Sequence, residues 1–423
     1  MKFLFVHQNF PGQYLHLVRH LQAQERHDIV FLTEANRNVI PGVRKVPYRK
    51  PDAVPRGSHW VSREFEAATR RAEVVAMAAR ELKGLGFTPD IILGHHGWGE
   101  LLNIRDVWPD VPLLGYFEFY YRTQGADVGF DPEFPTDPAD FPRIRAKNST
   151  NLQALALGGH GQTPTEWQLS TYPAWARPMI TLLAEGVDLE VCRPDAAARG
   201  AVLRIGGMEI APEHRLVTYV ARDLEPYRGV HIMLRAIPRL LRARRDLRVV
   251  MVGGDGVSYG ARPKSGTWKS RFLEELGSAI DPARVCFPGR VDYATYTALL
   301  RRSDAHVYLT YPFVASWSLR EALASGCVVI GSDTPTVTEF IRHGSNGLIV
   351  PFHDPAGVAD AVLRVLEDAR LARRLGAGAR RFAERHLDMR AYLASYEALI
   401  RKLVPRGAVT PRAGSARRGT RPR

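Results

Sequence analysis

Three cysteines in 423 residues, Cys192, Cys286 and Cys327, are too few and too scattered for a disulfide framework or a cysteine metal site. Long hydrophobic runs are missing too: nothing approaches the ~20 apolar residues that span a bilayer. The opening Met1-Lys2-Phe3-Leu4-Phe5-Val6-His7 is too short for a secretion signal, and no small-residue cleavage site follows it. We expect it to be the first buried strand of a cytoplasmic protein. Acidic residues are in deficit, 44 against 58 Lys and Arg, for a formal net charge of +14. Neither zinc-finger spacing nor an aromatic RNA-binding motif accompanies that charge, so no nucleic-acid partner is expected. No Walker sequence occurs, and Gly253-Gly254-Asp255-Gly256 falls short of the G-x-G-x-x-G spacing. P-loop and nicotinamide chemistry thereby lose their main support.

What is present is the composition of a soluble globular protein, 45% hydrophobic and 24% charged. Apolar runs alternate with helical patterns. Phe3–Val6, Asp28–Thr33, Asp90–Leu93 and Pro112–Tyr116 read as strands, and Trp60–Leu82 reads as a helix with apolar spacing near 3.6. Continuous rather than alternating hydrophobicity implies strands covered on both faces, hence parallel sheets. The pattern restarts after Pro194, with strands at Leu216–Ala221, Leu247–Val252, Val285–Pro288, Ala305–Leu309 and Val328–Gly331. Helices are expected at Val230–Arg242, Trp268–Ile280, Tyr293–Arg302 and Ser316–Ala324, then from Pro355 to Leu403 with a break at His386-Leu387-Asp388. The expected class is α/β, with two Rossmann-like domains facing a central cleft, residues 1–195 and 196–385. A C-terminal helix, 386–403, crossing back to the first domain is expected, then a basic tail, 404–423. That tail carries Arg406, Arg412, Arg417, Arg418, Arg421 and Arg423 without an acidic residue, and its Gly, Pro, Ser and Thr content predicts disorder. Peripheral contact with an anionic membrane is one use for it; mere solubility is the other.

Open α/β sheets bind ligands beyond the carboxyl ends of their strands. There the sequence places His7-Gln8-Asn9-Phe10-Pro11-Gly12, where Gly12 permits close backbone approach to an anion or simply makes a tight turn. After what reads as the third strand comes His95-His96-Gly97-Trp98-Gly99-Glu100. Adjacent histidines point apart, and no carboxylate has metal-ligand spacing, so hydrogen bonding at a cleft is favoured over a metal. In the second half, Arg222 and Arg228 flank a strand end and could converge on a diphosphate, with Gly254 after the next strand. The segment from Tyr311 to Gly326 turns from strand into helix. Amides around Ser316, Trp317, Ser318 and Leu319 suit an anion, and Glu321 follows early in that helix.

These motifs resemble glycosyltransferase family 4, the retaining enzymes of GT-B architecture. The resemblance is strongest from Tyr311 to Pro351, through Asp333-Thr334-Pro335-Thr336-Val337-Thr338-Glu339 and Gly344-Ser345-Asn346-Gly347-Leu348-Ile349-Val350-Pro351. It implies that Glu321 is the second glutamate of an E-x7-E motif and holds the donor ribose. It likewise implies that Arg222 and Arg228 neutralise the diphosphate, that Gly12 lies near the phosphates and that His95, or else His96, lies near the transferred sugar. One departure stands out: eight positions before Glu321 is Phe313, where the motif has a glutamate for the donor sugar's hydroxyls.

The expected function is retaining transfer of a sugar from a nucleotide diphosphate sugar to an acceptor hydroxyl, carbohydrate or lipid-linked, in polysaccharide or glycoconjugate biosynthesis. No cofactor and no metal are expected, because basic side chains can carry the leaving-group charge. A non-catalytic sugar-nucleotide-binding protein, suggested by Phe313, and a sugar-nucleotide epimerase are the alternatives.

Overall fold

The structure, a computed structural model, describes residues 1–404, which form two compact units. Met1–Phe117, Ser149–Gln162 and residues 394–404 make the first; Glu118–Asn148 and Thr163–Leu393 make the second. This interleaved division does not follow a single cut at residue 195. The basic tail lies, beyond residue 404, outside the described residues.

In the first unit, parallel strands β1 (Lys2–Val6), β2 (Asp28–Glu34), β3 (Arg44–Tyr48), β4 (Ile91–His95), β5 (Leu113–Tyr116) and β6 (His160–Thr163) lie in the order β3-β2-β1-β4-β5-β6. The helix Arg63–Gly84 presents Val75, Ala79 and Leu82 to Leu4, Val6 and Ile92 of the sheet, which explains the unbroken apolar runs. β3 and β6 are absent from the sequence reading: β3 carries two basic residues and a proline, and His160-Gly161-Gln162-Thr163 has no apolar signal. The His95 loop accordingly follows the fourth strand, not the third. Residues 394–404 belong to this unit, where Glu397 receives a hydrogen bond from His20 at 2.7 Å.

In the second unit, parallel strands β7 (Arg215–Asp223), β8 (Leu247–Gly254), β9 (Val285–Gly289), β10 (Ala305–Tyr308), β11 (Val329–Ser332) and β12 (Leu348–Val350) lie in the order β9-β8-β7-β10-β11-β12. Helices Val230–Ala243 and Pro355–Glu367 share a core with Val217, Val249, Val307 and Ile330. The first of these helices starts at Gly229, whose φ of +69° and neighbour Leu309, 2.5 Å from where a Cβ would sit, leave room only for glycine. The long C-terminal helical region breaks near His386–Asp388 as expected. It breaks once more at Asp368, whose carboxylate caps the next helix by accepting the Leu371 amide at 2.9 Å. The three cysteines are buried and free. Among the described residues, no helix is long and apolar enough to cross a membrane.

Glu118–Asn148 follows β5 of the first unit in sequence yet packs on the second. Asn148 fastens its base, accepting the Tyr121 amide at 2.9 Å and donating to the Tyr121 carbonyl at 2.7 Å. Its aromatic rings then enter the second unit: Phe119 against Phe313, Phe130 against Tyr311 and Phe352, Phe134 against Trp268.

Candidate functional site

Each sheet reverses its direction of growth once, between β1 and β4 in the first unit and between β7 and β10 in the second. At such a switch point the loops beyond the carboxyl ends diverge and open a crevice for ligands. The candidate residues gather at these two places, and each is described within its own unit.

In the first unit, β1 and β4 pair with Val6 opposite Gly94, which brings the His7 and His95 loops side by side. The two imidazoles lie 5.6 Å apart, nearly perpendicular. His95 is 1% exposed; its Nδ1 accepts the Gly97 amide at 2.9 Å, and its ring stacks on Tyr116. His7 accepts the Asn9 amide in the same way, at 2.9 Å. Gly12 has a φ of +54°, and a Cβ there would lie 2.9 Å from His7 Nδ1, so the close approach that glycine allows is to His7. His96 points elsewhere. It packs against Phe117 over Gly115, and burial, then the neighbouring His95, lowers its pKa to about 3. Of the adjacent pair, His95 is therefore the one beside the His7 loop. Glu100 is completely buried beneath the loops, accepting the Gln8 amide at 3.0 Å. Burial raises its pKa, with Arg71 opposing.

In the second unit the two arginines fare differently. Arg228 is buried, with Nη1 donating to Thr310 Oγ1 and to the Val314 carbonyl, both at 2.9 Å, and its guanidinium lies 4.9 Å from the Tyr259 ring centre. Burial works against its charge, but Tyr308, Tyr259 and Glu225 outweigh that and hold its pKa above the ordinary value. Arg222 lies exposed near the end of β7, so only one of the expected pair has a built seat. Gly254 is required by structure: a Cβ would sit 2.5 Å from Asp223 Oδ1, which receives Arg290 Nη2 at 2.8 Å.

The expectation of free amides from Ser316 to Leu319 needs correction. The Ser316 amide donates to Tyr308 Oη at 2.9 Å, and the Leu319 amide donates to the Ser316 carbonyl at 3.3 Å. The Leu319 side chain is buried in the core, Trp317 Nε1 donates to Glu185 Oε2 at 2.9 Å, and the Ser318 hydroxyl is within hydrogen-bond reach of that of Ser316. Local geometry tightens this turn, so fewer of its donors remain for an anion. Glu321 is held by two tyrosines that the sequence reading missed: Tyr293 Oη donates to Oε1 and Tyr296 Oη to Oε2, both at 2.9 Å. Burial raises its pKa, and the two hydroxyls and Arg320 moderate the rise. Nothing local marked these tyrosines, because they reach Glu321 from the separate helix Tyr293–Arg302.

Phe313 is 3% exposed and closes an aromatic cluster with Phe119 at 4.7 Å, Tyr259 at 5.1 Å and Tyr227 at 5.7 Å. A carboxylate in that position would be desolvated by rings.

Among known proteins, the family described as "Glycosyl transferase family 4 group" matches residues 25–192, and "Glycosyl transferases group 1" matches residues 208–382. A D-inositol 3-phosphate glycosyltransferase of Nocardia farcinica is 31% identical over 377 residues, 84% of this chain and 76% of that protein. A phosphatidyl-myo-inositol mannosyltransferase of Mycolicibacterium smegmatis is 27% identical over 262 residues, 55% of this chain and 63% of that protein. The match spans only 43% of a D-inositol 3-phosphate glycosyltransferase from a Nocardioides species. Sucrose-phosphate synthase from Thermosynechococcus elongatus shares the fold with a TM-score of 0.69 at 16% identity, over 95% of this chain and 99% of that one. Anabaena HepE, solved in complex with UDP and glucose, does so at 0.64 and 15%, over 95% and 100%. The fold is that of the GT-B glycosyltransferases. The chain itself belongs to glycosyltransferase family 4.

Proposed function

We propose that this chain transfers a sugar, with retention, from a nucleotide diphosphate sugar to a carbohydrate or lipid-linked acceptor hydroxyl in polysaccharide or glycoconjugate biosynthesis. The observation that carries the reading is Arg228, a buried guanidinium fixed by Thr310 and Val314 at the switch point of the second sheet. Its charge is permanent and already oriented, so it stabilises the diphosphate as the glycosidic bond breaks without reorganising at that moment. Arg222, exposed nearby in sequence, supplements it from the loop side, and no metal is needed for this role. Gly254 and the turn at Ser316, Trp317, Ser318 and Leu319 border the nucleotide, whose ribose hydroxyls donate to Glu321 in place of the tyrosines. His95 and Gly12 serve the acceptor side. Transfer itself breaks the bond from the anomeric carbon to the diphosphate and forms one to the acceptor oxygen, whose proton leaves on the diphosphate. The enzyme works in the cytoplasm, with the basic tail in peripheral contact with an anionic membrane.

Phe313 favours a second reading, a sugar-nucleotide-binding protein without turnover, because the rings leave no carboxylate where the family's motif has one. The experiment is calorimetric titration with UDP, GDP and ADP, followed by turnover of the matching nucleotide sugars over an acceptor panel. One nucleotide should bind, and Glu321→Ala should weaken it at least about tenfold, the loss of charge-assisted hydrogen bonds to two hydroxyls. Unchanged affinity in a folded Glu321→Ala protein removes Glu321 from the site.

A further inference from the structure

Each of the two loops at the first unit's switch point is fastened by a charged side chain. In the His7 loop, the Gln8 carbonyl accepts the Thr33 hydroxyl at 3.0 Å and the Glu34 amide at 3.2 Å, and the Gln8 amide donates to Glu100 Oε1 at 3.0 Å. The His95 loop is held from the helix Arg63–Gly84. Arg71 Nη1 donates to the Trp98 carbonyl at 3.1 Å, and Gly99 sits so close that a Cβ would overlap the Ala68 carbonyl. Arg71 and Glu100 belong to one cluster with Glu34 and Tyr48. Arg71 Nη2 lies 3.5 Å from Glu34 Oε1. Burial raises the Tyr48 pKa, Glu100 and Glu34 add to that rise, and Arg71 opposes it.

Holding the Gln8 amide does not by itself call for a charge, since a glutamine oxygen would accept the same bond. Glu100 nevertheless has no exposed surface, and among the described residues its Oε2 has no hydrogen-bond partner. A carboxylate kept there is costly unless its charge is used, and Arg71 is the cation that favours it. What the pair governs is the state of two imidazoles. His7 Nδ1 accepts the Asn9 amide and His95 Nδ1 accepts the Gly97 amide, each within its own loop and both at 2.9 Å. A ring nitrogen that accepts carries no proton, so in the neutral ring the proton sits on Nε2. The two rings, 5.6 Å apart, are then donors at Nε2 and not bases.

We infer that Glu100 and Arg71 are positioning residues for transfer: one buried charge pair locks both loops and thereby keeps His7 and His95 in the donor tautomer. The effect on turnover rests on the proposed transferase reading, in which the diphosphate and not a histidine takes the acceptor's proton.

The test is nitrogen NMR of the full chain labelled in its histidine rings, at about pH 8.5, above the ordinary imidazole range. His7→Gln and His95→Gln identify the two signals. In the parent, both rings should show an unprotonated Nδ1 and a protonated Nε2; any other pattern overturns the inference. Glu100→Gln leaves an oxygen for the Gln8 amide and removes the charge facing Arg71. His7 should therefore keep its pattern, while the two nitrogen signals of His95 draw together as its tautomers mix. A folded Glu100→Gln protein with the parental His95 pattern overturns the pairing. Should that variant not fold, Arg71→Met, made at a partly exposed side chain, must disturb His95 in the same way, and an unchanged pattern there is equally fatal. With the nucleotide sugar and acceptor that support turnover, Glu100→Gln should lower kcat about tenfold to a hundredfold, the cost of a misplaced group, at unchanged nucleotide affinity. Parental kcat despite a disturbed His95 overturns the positioning role. A parent that turns over no nucleotide sugar defeats the transferase reading instead, and the ring signals still decide whether the pair locks the loops.

Discussion

Glu321 illustrates how a single residue can be legible in type and not in environment. Its place early in a helix after a small-residue turn was readable from order along the chain. The hydroxyls of Tyr293 and Tyr296 come from a helix that the chain reaches before β10, and only folding sets them on the two carboxylate oxygens. They have a measurable consequence. Because burial raises the Glu321 pKa above the usual carboxylate range, its contribution to fold stability is present at low pH and is lost as pH rises through the raised value. Nucleotide binding through the ionised carboxylate has the opposite sign and weakens as pH falls through that value. Removing both hydroxyls in Tyr293→Phe/Tyr296→Phe takes away two interactions that favour the charged form. The acid loss of nucleotide affinity should therefore begin at higher pH than in the parent, in titrations from about pH 8 to 5. Superimposable profiles would show that Glu321 does not govern binding.

Among elements, the strands with unbroken apolar runs were the most readable, since a strand covered on both faces must be apolar throughout. β3 and β6 were hidden because little of their sequence carries that signal, and they are held by backbone pairing to β2 and β5. Glu118–Asn148 was hidden for another reason: its rings have no periodicity, and their partners lie on helices and strand ends far along the chain. The anchor of this segment is Asp131, 1% exposed, which accepts Tyr311 Oη at 2.8 Å and lies 2.9 Å from His231 Nε2. Tyr311→Phe leaves that carboxylate a donor short. It should lower the unfolding free energy of the second unit by about 1–3 kcal/mol in urea titrations followed by tryptophan fluorescence. A variant as stable as the parent would show that the segment is held by its rings alone.

At the scale of the whole molecule, the excess of basic residues is the property that partners meet first. If the tail supplies the membrane contact, the full chain should co-sediment with vesicles containing anionic lipid, and ending the chain after Leu403 should abolish that. Each arginine near such a surface contributes about 1 kcal/mol, so the binding should also fall steeply with added salt. Retention by the shortened protein would place the contact in the folded units instead. The sequence by itself determined the two parallel α/β sheets, the buried first strand and the position of each candidate loop at a strand end, because periodicity and glycine placement are local constraints. Only the tertiary structure decided that Arg228 and not Arg222 is seated, that His95 and not His96 stands beside His7, and that Phe313 is walled in by rings. Those outcomes depend on which distant side chains fill the space around a residue, and no local pattern encodes that.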